Sequence, residues 1–104
     1  MNYRVNVAEQ QAESDLKDIY SYICNDLKSE KSADKVVLRL QNIMTSLSAT
    51  PECFRVYPVE PWMSRKIRFV PVGNYIIFYL VKDVDGEVWI TRIVYGKRDI
   101  KNIL

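Results

Sequence analysis

The sequence predicts an α+β domain: a strand, a helical hairpin, then a three-stranded antiparallel meander, with the helices packed on one face of the sheet. Three observations carry this. Apolar residues alternate in twos near the start and over residues 66–95, and recur at helical spacing in between. Two turn dipeptides, Gly73-Asn74 and Asp85-Gly86, divide the second alternating region into three. The chain has 104 residues, 48% hydrophobic and 27% charged, which suits one core and a single domain over 1–104.

Tyr3, Val5 and Val7 alternate with Arg4 and Asn6 as a short first strand. From Ala8 the period changes. Ala12, Leu16, Ile19, Tyr20, Ile23 and Leu27 form one helical stripe, with acidic residues on the early turns. Ser29-Glu30-Lys31-Ser32 interrupts it, and Ser32 is the expected N-cap of a second helix. That helix carries Val36, Val37, Leu40, Ile43, Met44 and Leu47 and runs to about Ser48. Residues 48–63 are an irregular connection with Pro51, Pro58 and Pro61, pinned by Phe54, Tyr57 and Trp62.

If both turn dipeptides make two-residue loops, the strand faces follow. Arg68 lies opposite Tyr79, and Tyr79 opposite Arg92. One face then collects Lys66, Arg68, Val70, Tyr75, Ile77, Tyr79, Ile90, Arg92 and Val94, with Arg98 following if the strand persists. The other collects Ile67, Phe69, Ile76, Phe78, Leu80, Trp89, Ile93 and Tyr95, the expected bed for the helices. The basic face would stay open and offer Lys66, Arg68, Tyr75, Tyr79, Arg92, Lys97 and Arg98 to an anionic partner.

Charge distribution points the same way. Net charge is +2, but residues 1–31 sum to −2 and residues 62–104 to +4. The chain has no histidine, which removes Ser-His-Asp and Cys-His catalysis and histidine-based zinc sites. Asp83-Val84-Asp85-Gly86-Glu87 lacks the remaining ligands of a calcium loop and reads as a turn. Tyr95-Gly96-Lys97-Arg98 lacks the spacing of a phosphate loop. No cofactor or metal is expected. Cys24 and Cys53 are expected as free thiols. Met1-Asn2-Tyr3-Arg4-Val5 has no leader-like apolar run, and no stretch approaches a membrane span, so a cytoplasmic location is expected.

The element order resembles the RelE/ParE superfamily of bacterial toxins over essentially the whole chain. The most specific pieces are Gly73-Asn74-Tyr75-Ile76-Ile77-Phe78-Tyr79 and Trp89-Ile90-Thr91-Arg92-Ile93-Val94-Tyr95-Gly96-Lys97-Arg98-Asp99. The resemblance implies the toxin of a type II toxin–antitoxin pair, held inactive by a cognate antitoxin in a hetero-oligomer. RelE-like members cut mRNA on the ribosome, and ParE-like members poison DNA gyrase. Of the RelE pattern, Lys66 and Arg68 match the basic pair on the second strand, and Arg98 matches a later arginine. These three are the catalytic candidates if the chain is a metal-independent ribonuclease.

The third-strand arginine of that pattern falls on Ile76 or Ile77, and its tail tyrosine on Leu104. RNA cleavage needs a proton donor and an acceptor as well as charge stabilisation. The departures therefore favour a ParE-like, non-nucleolytic toxin. A nucleic-acid-binding or interaction module without toxicity is a further alternative.

Overall fold

The computed structural model describes residues 3–6, 10–25 and 28–96. Its elements are β1 (Arg4–Asn6), α1 (Gln10–Asn25), α2 (Glu30–Ser46), β2 (Arg68–Val72), β3 (Tyr75–Lys82) and β4 (Glu87–Tyr95). Val7, Leu27, Lys97, Arg98 and Leu104 lie outside the described residues. The predicted α+β order is therefore the observed one. The strands form one sheet in the order β1-β4-β3-β2, with β1 parallel to β4 and the meander antiparallel. No helix among the described residues is long and apolar enough to cross a membrane.

α2 begins three residues before the place expected from Ser32. Ser29 has extended backbone angles and its Oγ accepts the Ser32 N–H at 3.3 Å, so Ser29 is the N-cap. Ser32 has become the capped N3 position rather than the cap. Of the expected stripes, Ala12, Ile19, Ile23, Leu40, Met44 and Leu47 are buried and Leu16, Tyr20, Val36, Val37 and Ile43 half-buried, and Ala33 is buried with them.

The faces of the sheet are where the sequence reading needs correction. Gly73-Asn74 is a two-residue turn, with Val72 opposite Tyr75. The second loop is longer, because Lys82 pairs with Glu87 across Asp83–Gly86. A bulge follows: Tyr79 faces Ile90 while Phe78 faces Arg92, leaving Thr91 as the extra residue. The Thr91 hydroxyl donates to the Phe78 carbonyl at 3.1 Å and fills the irregularity. The bulge sends Ile90 and Ile93 to the same face and turns Arg92 and Val94 away from it.

The helices pack on the face holding Val70, Val72, Ile77, Tyr79, Val88, Ile90 and Ile93, opposite to the expected bed. The aromatic face is claimed by the connection instead. Tyr57 makes edge contacts with Trp62 at 5.5 Å, Phe69 at 5.0 Å and Phe78 at 5.3 Å. Ile67 and Val94 complete this second cluster. Both faces of the meander are apolar, so alternation alone does not say which one the helices cover. The large flat rings suit an irregular loop, and the branched aliphatics suit a ridged helix surface.

Candidate functional site

Backbone pairing of residues 55–57 with 67–69 builds a basic corner at the β2 edge. The Tyr57 N–H donates to the Ile67 carbonyl at 2.8 Å, and the Phe69 N–H to the Arg55 carbonyl at 3.2 Å. Arg55 lies over the Phe69 ring at 5.5 Å. Arg65 and Lys66 are exposed in the turn that enters β2. Arg68 is half-buried and donates through Nη1 to the Phe54 carbonyl at 2.6 Å. Among the described residues none of these four makes an ion pair. Lys66 also has φ of +58°, a left-handed conformation that a side chain disfavours by roughly 1–2 kcal/mol.

The other expected members do not join this corner. Tyr79 is fully buried on the helix side, and its hydroxyl donates to the Pro51 carbonyl at 2.7 Å. Burial pushes its phenol up to about 12, against the opposing pull of Arg68. Tyr75 is half-buried 5.8 Å from the Tyr95 ring, and burial also raises its phenol. Arg92 forms a salt bridge with Asp15 on α1 and is not presented with Lys66 and Arg68 on an open face. Lys97 and Arg98 are outside the described residues. Lys66 lies in the turn before β2 and Arg68 at its first residue. The pairing of residues 55–57 with 67–69 sets Arg55 beside them along the edge, over Phe69 on one face, while Arg68 stands opposite Tyr79 on the other.

A second feature lies at the opposite edge. Among the described residues β1 pairs with β4 at Glu87–Trp89, and α1 packs against β4 as well. A cleft of about 550 Å³ opens there, lined by Asp18 and Tyr22 of α1 and by Asn74, Tyr75 and Tyr95 of the sheet, among others. Asp15 closes its floor. One signal in the sequence pointed to Asp15: a carboxylate three residues after Ala12 and four before Ile19, on a stripe that must be buried.

These surfaces sit on a fold with known relatives. The model of the family described as the ParE toxin of the type II toxin–antitoxin system, parDE, matches residues 7–100. The chain belongs to that family. A structure of a chromosomal ParDE system from P. aeruginosa is similar at TM-score 0.70 and 21% identity, covering 93% of this chain and 97% of the other. The RelBE2 toxin–antitoxin complex from Mycobacterium tuberculosis is similar at TM-score 0.68 and 16% identity, covering 91% and 92%. No match was found among curated proteins.

Within this ParE-family chain, the positions where a RelE-type enzyme would carry a third-strand arginine are packed. Ile77 is fully buried in the helix-side core, and Ile76 packs against the aromatic cluster. Neither position presents a polar group to a bound phosphate. Tyr79 is sealed from solvent and cannot exchange protons with a ligand.

Proposed function

We propose that this ParE-family toxin arrests growth by binding a protein or nucleoprotein target, with DNA gyrase the first to test, and that a cognate antitoxin neutralises it. The observation that carries the target-binding reading is the basic corner. Arg55, Arg65, Lys66 and Arg68 lie on the paired segments at the β2 edge, and none of them makes an ion pair among the described residues. Lys66 keeps a left-handed backbone where glycine would be the easier residue, which favours a use for its side chain. The antitoxin reading rests on the family and on two similar structures that come from toxin–antitoxin systems.

The RelE-like alternative, an mRNA endoribonuclease using Lys66, Arg68 and Arg98, keeps one supporting observation. Arg68 opens β2 and Lys66 lies two residues before it, in the turn. The packed Ile76 and Ile77 and the buried Tyr79 weigh against it.

Induced expression in growing cells, followed by a gyrase supercoiling assay with the purified chain, tests the reading. Arrested growth with blocked supercoiling or a trapped cleavage complex is expected. Arrested growth with normal supercoiling removes gyrase as the target. New codon-positioned mRNA ends after induction would establish the ribonuclease instead. Unchanged growth would overturn the toxin activity in that host. Co-expression of a small neighbouring open reading frame should restore growth if it encodes the antitoxin.

A further inference from the structure

We propose that the outer face of α2 binds the phosphate backbone of duplex DNA through Lys31, Lys35 and Arg39. These three cations recur at every fourth residue, and all are exposed. That spacing sets them along one ridge of the helix. About 6 Å of rise separates each from the next, so the row is about 12 Å long. The same length of B-form DNA carries roughly three to four phosphates on one strand. Asn42, also exposed, continues the ridge with a side chain of the kind that holds phosphate oxygens.

A helix shaped by stability alone would carry its charges differently. Like charges at this spacing destabilise a helix, and Lys31 with Lys35 and Lys35 with Arg39 repeat the conflict. Lys31 also sits in the first turn, where the helix dipole disfavours a cation. The carboxylates that could relieve this stand on another flank, about 100° around the helix. There Glu30 and Asp34 form their own row, and Asp34 accepts the Tyr20 hydroxyl of α1 at 3.2 Å. None of the three cations makes an ion pair among the described residues. At the end of the row Arg39 reaches the β2–β3 turn, where a Cβ on Gly73 would stand 3.4 Å from its Nη1. α2 thus separates its charges by side, and the cationic side calls for an anion from outside the chain.

Duplex DNA fits this row better than an acidic protein segment does. An amphipathic helix docks through an apolar stripe, and the ridge contains no apolar residue. Leu38, 57% exposed, is a single apolar side chain beside it. B-form DNA also has a groove about 12 Å wide that admits a helix, whereas the corresponding groove of A-form RNA is too narrow.

Fluorescence anisotropy of a short labelled DNA duplex of mixed sequence, titrated with the full chain, tests this. Binding is expected at low salt. Its log K should fall against log salt with a slope of about −2.7, the value for three phosphate contacts. Lys31→Ala, Lys35→Ala and Arg39→Ala should each reduce the slope by about 0.9, whereas Lys35→Arg should keep it. Circular dichroism checks that each variant retains its helices, and the wild-type slope decides if one does not. Absence of binding at low salt would overturn the proposal, as would an unchanged slope in all three alanine variants. Loss of binding in Arg65→Ala with Lys66→Ala, with the α2 variants unaffected, would move the DNA to the basic corner. Tighter binding of an RNA duplex, or displacement of the DNA by polyglutamate of equal charge, would make DNA the wrong occupant. The measurement needs only the purified chain and DNA, so it stands or falls separately from the growth-arrest reading.

Discussion

Asp15 and Arg92 join helix and sheet across 77 positions of sequence with a two-pronged salt bridge. Nε of Arg92 donates to Oδ2 at 2.7 Å and Nη2 to Oδ1 at 3.1 Å. The Ile93 N–H adds a third bond to Oδ2 at 3.0 Å. The side chains are 13% and 9% exposed, so the pair is nearly dry. It stands further along β4 than the described pairs with β1, the last of which is Asn6 with Trp89.

Removing one partner should therefore be expensive. Asp15→Ala leaves a guanidinium and a backbone donor without their shared acceptor, and about 3–5 kcal/mol of stability should be lost. Replacing both side chains, as Asp15→Leu with Arg92→Met, should cost less than Asp15→Ala alone, because the buried guanidinium that lost its carboxylate is removed with it. Urea denaturation of the single and double variants measures both. A loss below about 0.5 kcal/mol for Asp15→Ala, the range of ordinary surface changes, would show that the pair is dispensable.

The stripes on α1 and α2 were legible because each helix buries one side and the period of 3.6 shows in the residues themselves. The faces of the meander were not, for two physical reasons. Phe69 and Phe78 are as apolar as Val70 and Ile77, so alternation marks two faces without ranking them. The bulge then shifts the phase of β4, and the spacing Val88, Ile90, Ile93 was its trace in the sequence. A strict period of two kept Arg92 on one open face with Ile90 and Val94; the bulge separates it from Ile90, and its guanidinium meets Asp15 from the other end of the chain. Of the candidate site, Lys66 and Arg68 were named from an alternation that begins in the structure only at Arg68, with Lys66 in the left-handed turn before it. Arg55 was not, since its place beside Phe69 depends on a loop pairing that only tertiary structure creates.

Tyr79 should behave as a structural phenol. Its folded pKa of about 12 lies above the ordinary 10, so the folded state holds the proton more tightly. That contribution is complete below pH 10 and is lost as pH rises from 10 towards 12. Absorbance titration should show a late-ionising tyrosine that disappears in Tyr79→Phe, with Tyr20, also raised to about 12, remaining. Tyr79→Phe should also lose about 1–3 kcal/mol at neutral pH, because the Pro51 carbonyl loses its hydroxyl donor. Ionisation of Tyr79 near 10 in the folded chain would contradict this.

Trp62 tests whether the aromatic face is a true second core. It is 1% exposed, stacked 6.5 Å from Phe78, and its indole Nε1 has no hydrogen-bond partner among the described residues. Trp62→Ala should cost about 3–5 kcal/mol by leaving a cavity. Trp62→Phe sacrifices volume but no hydrogen bond, so its cost should be clearly smaller. Equal losses from both variants, measured by thermal or urea unfolding, would mean that the indole nitrogen is engaged after all.

Lys66 separates stability from function most sharply. At φ +58° a glycine avoids the Cβ clash, while its greater unfolded-state freedom takes back part of the gain. Lys66→Gly should therefore leave stability unchanged or raise it by up to about 1 kcal/mol. Toxicity on induction should fall, because an exposed cation of the basic corner is gone. Arg65→Ala should do the same, whereas Arg68→Ala also removes the bond to the Phe54 carbonyl and mixes the two effects. Full toxicity in a Lys66→Gly, Arg65→Ala double variant that folds normally would sink the basic corner as the target-binding surface.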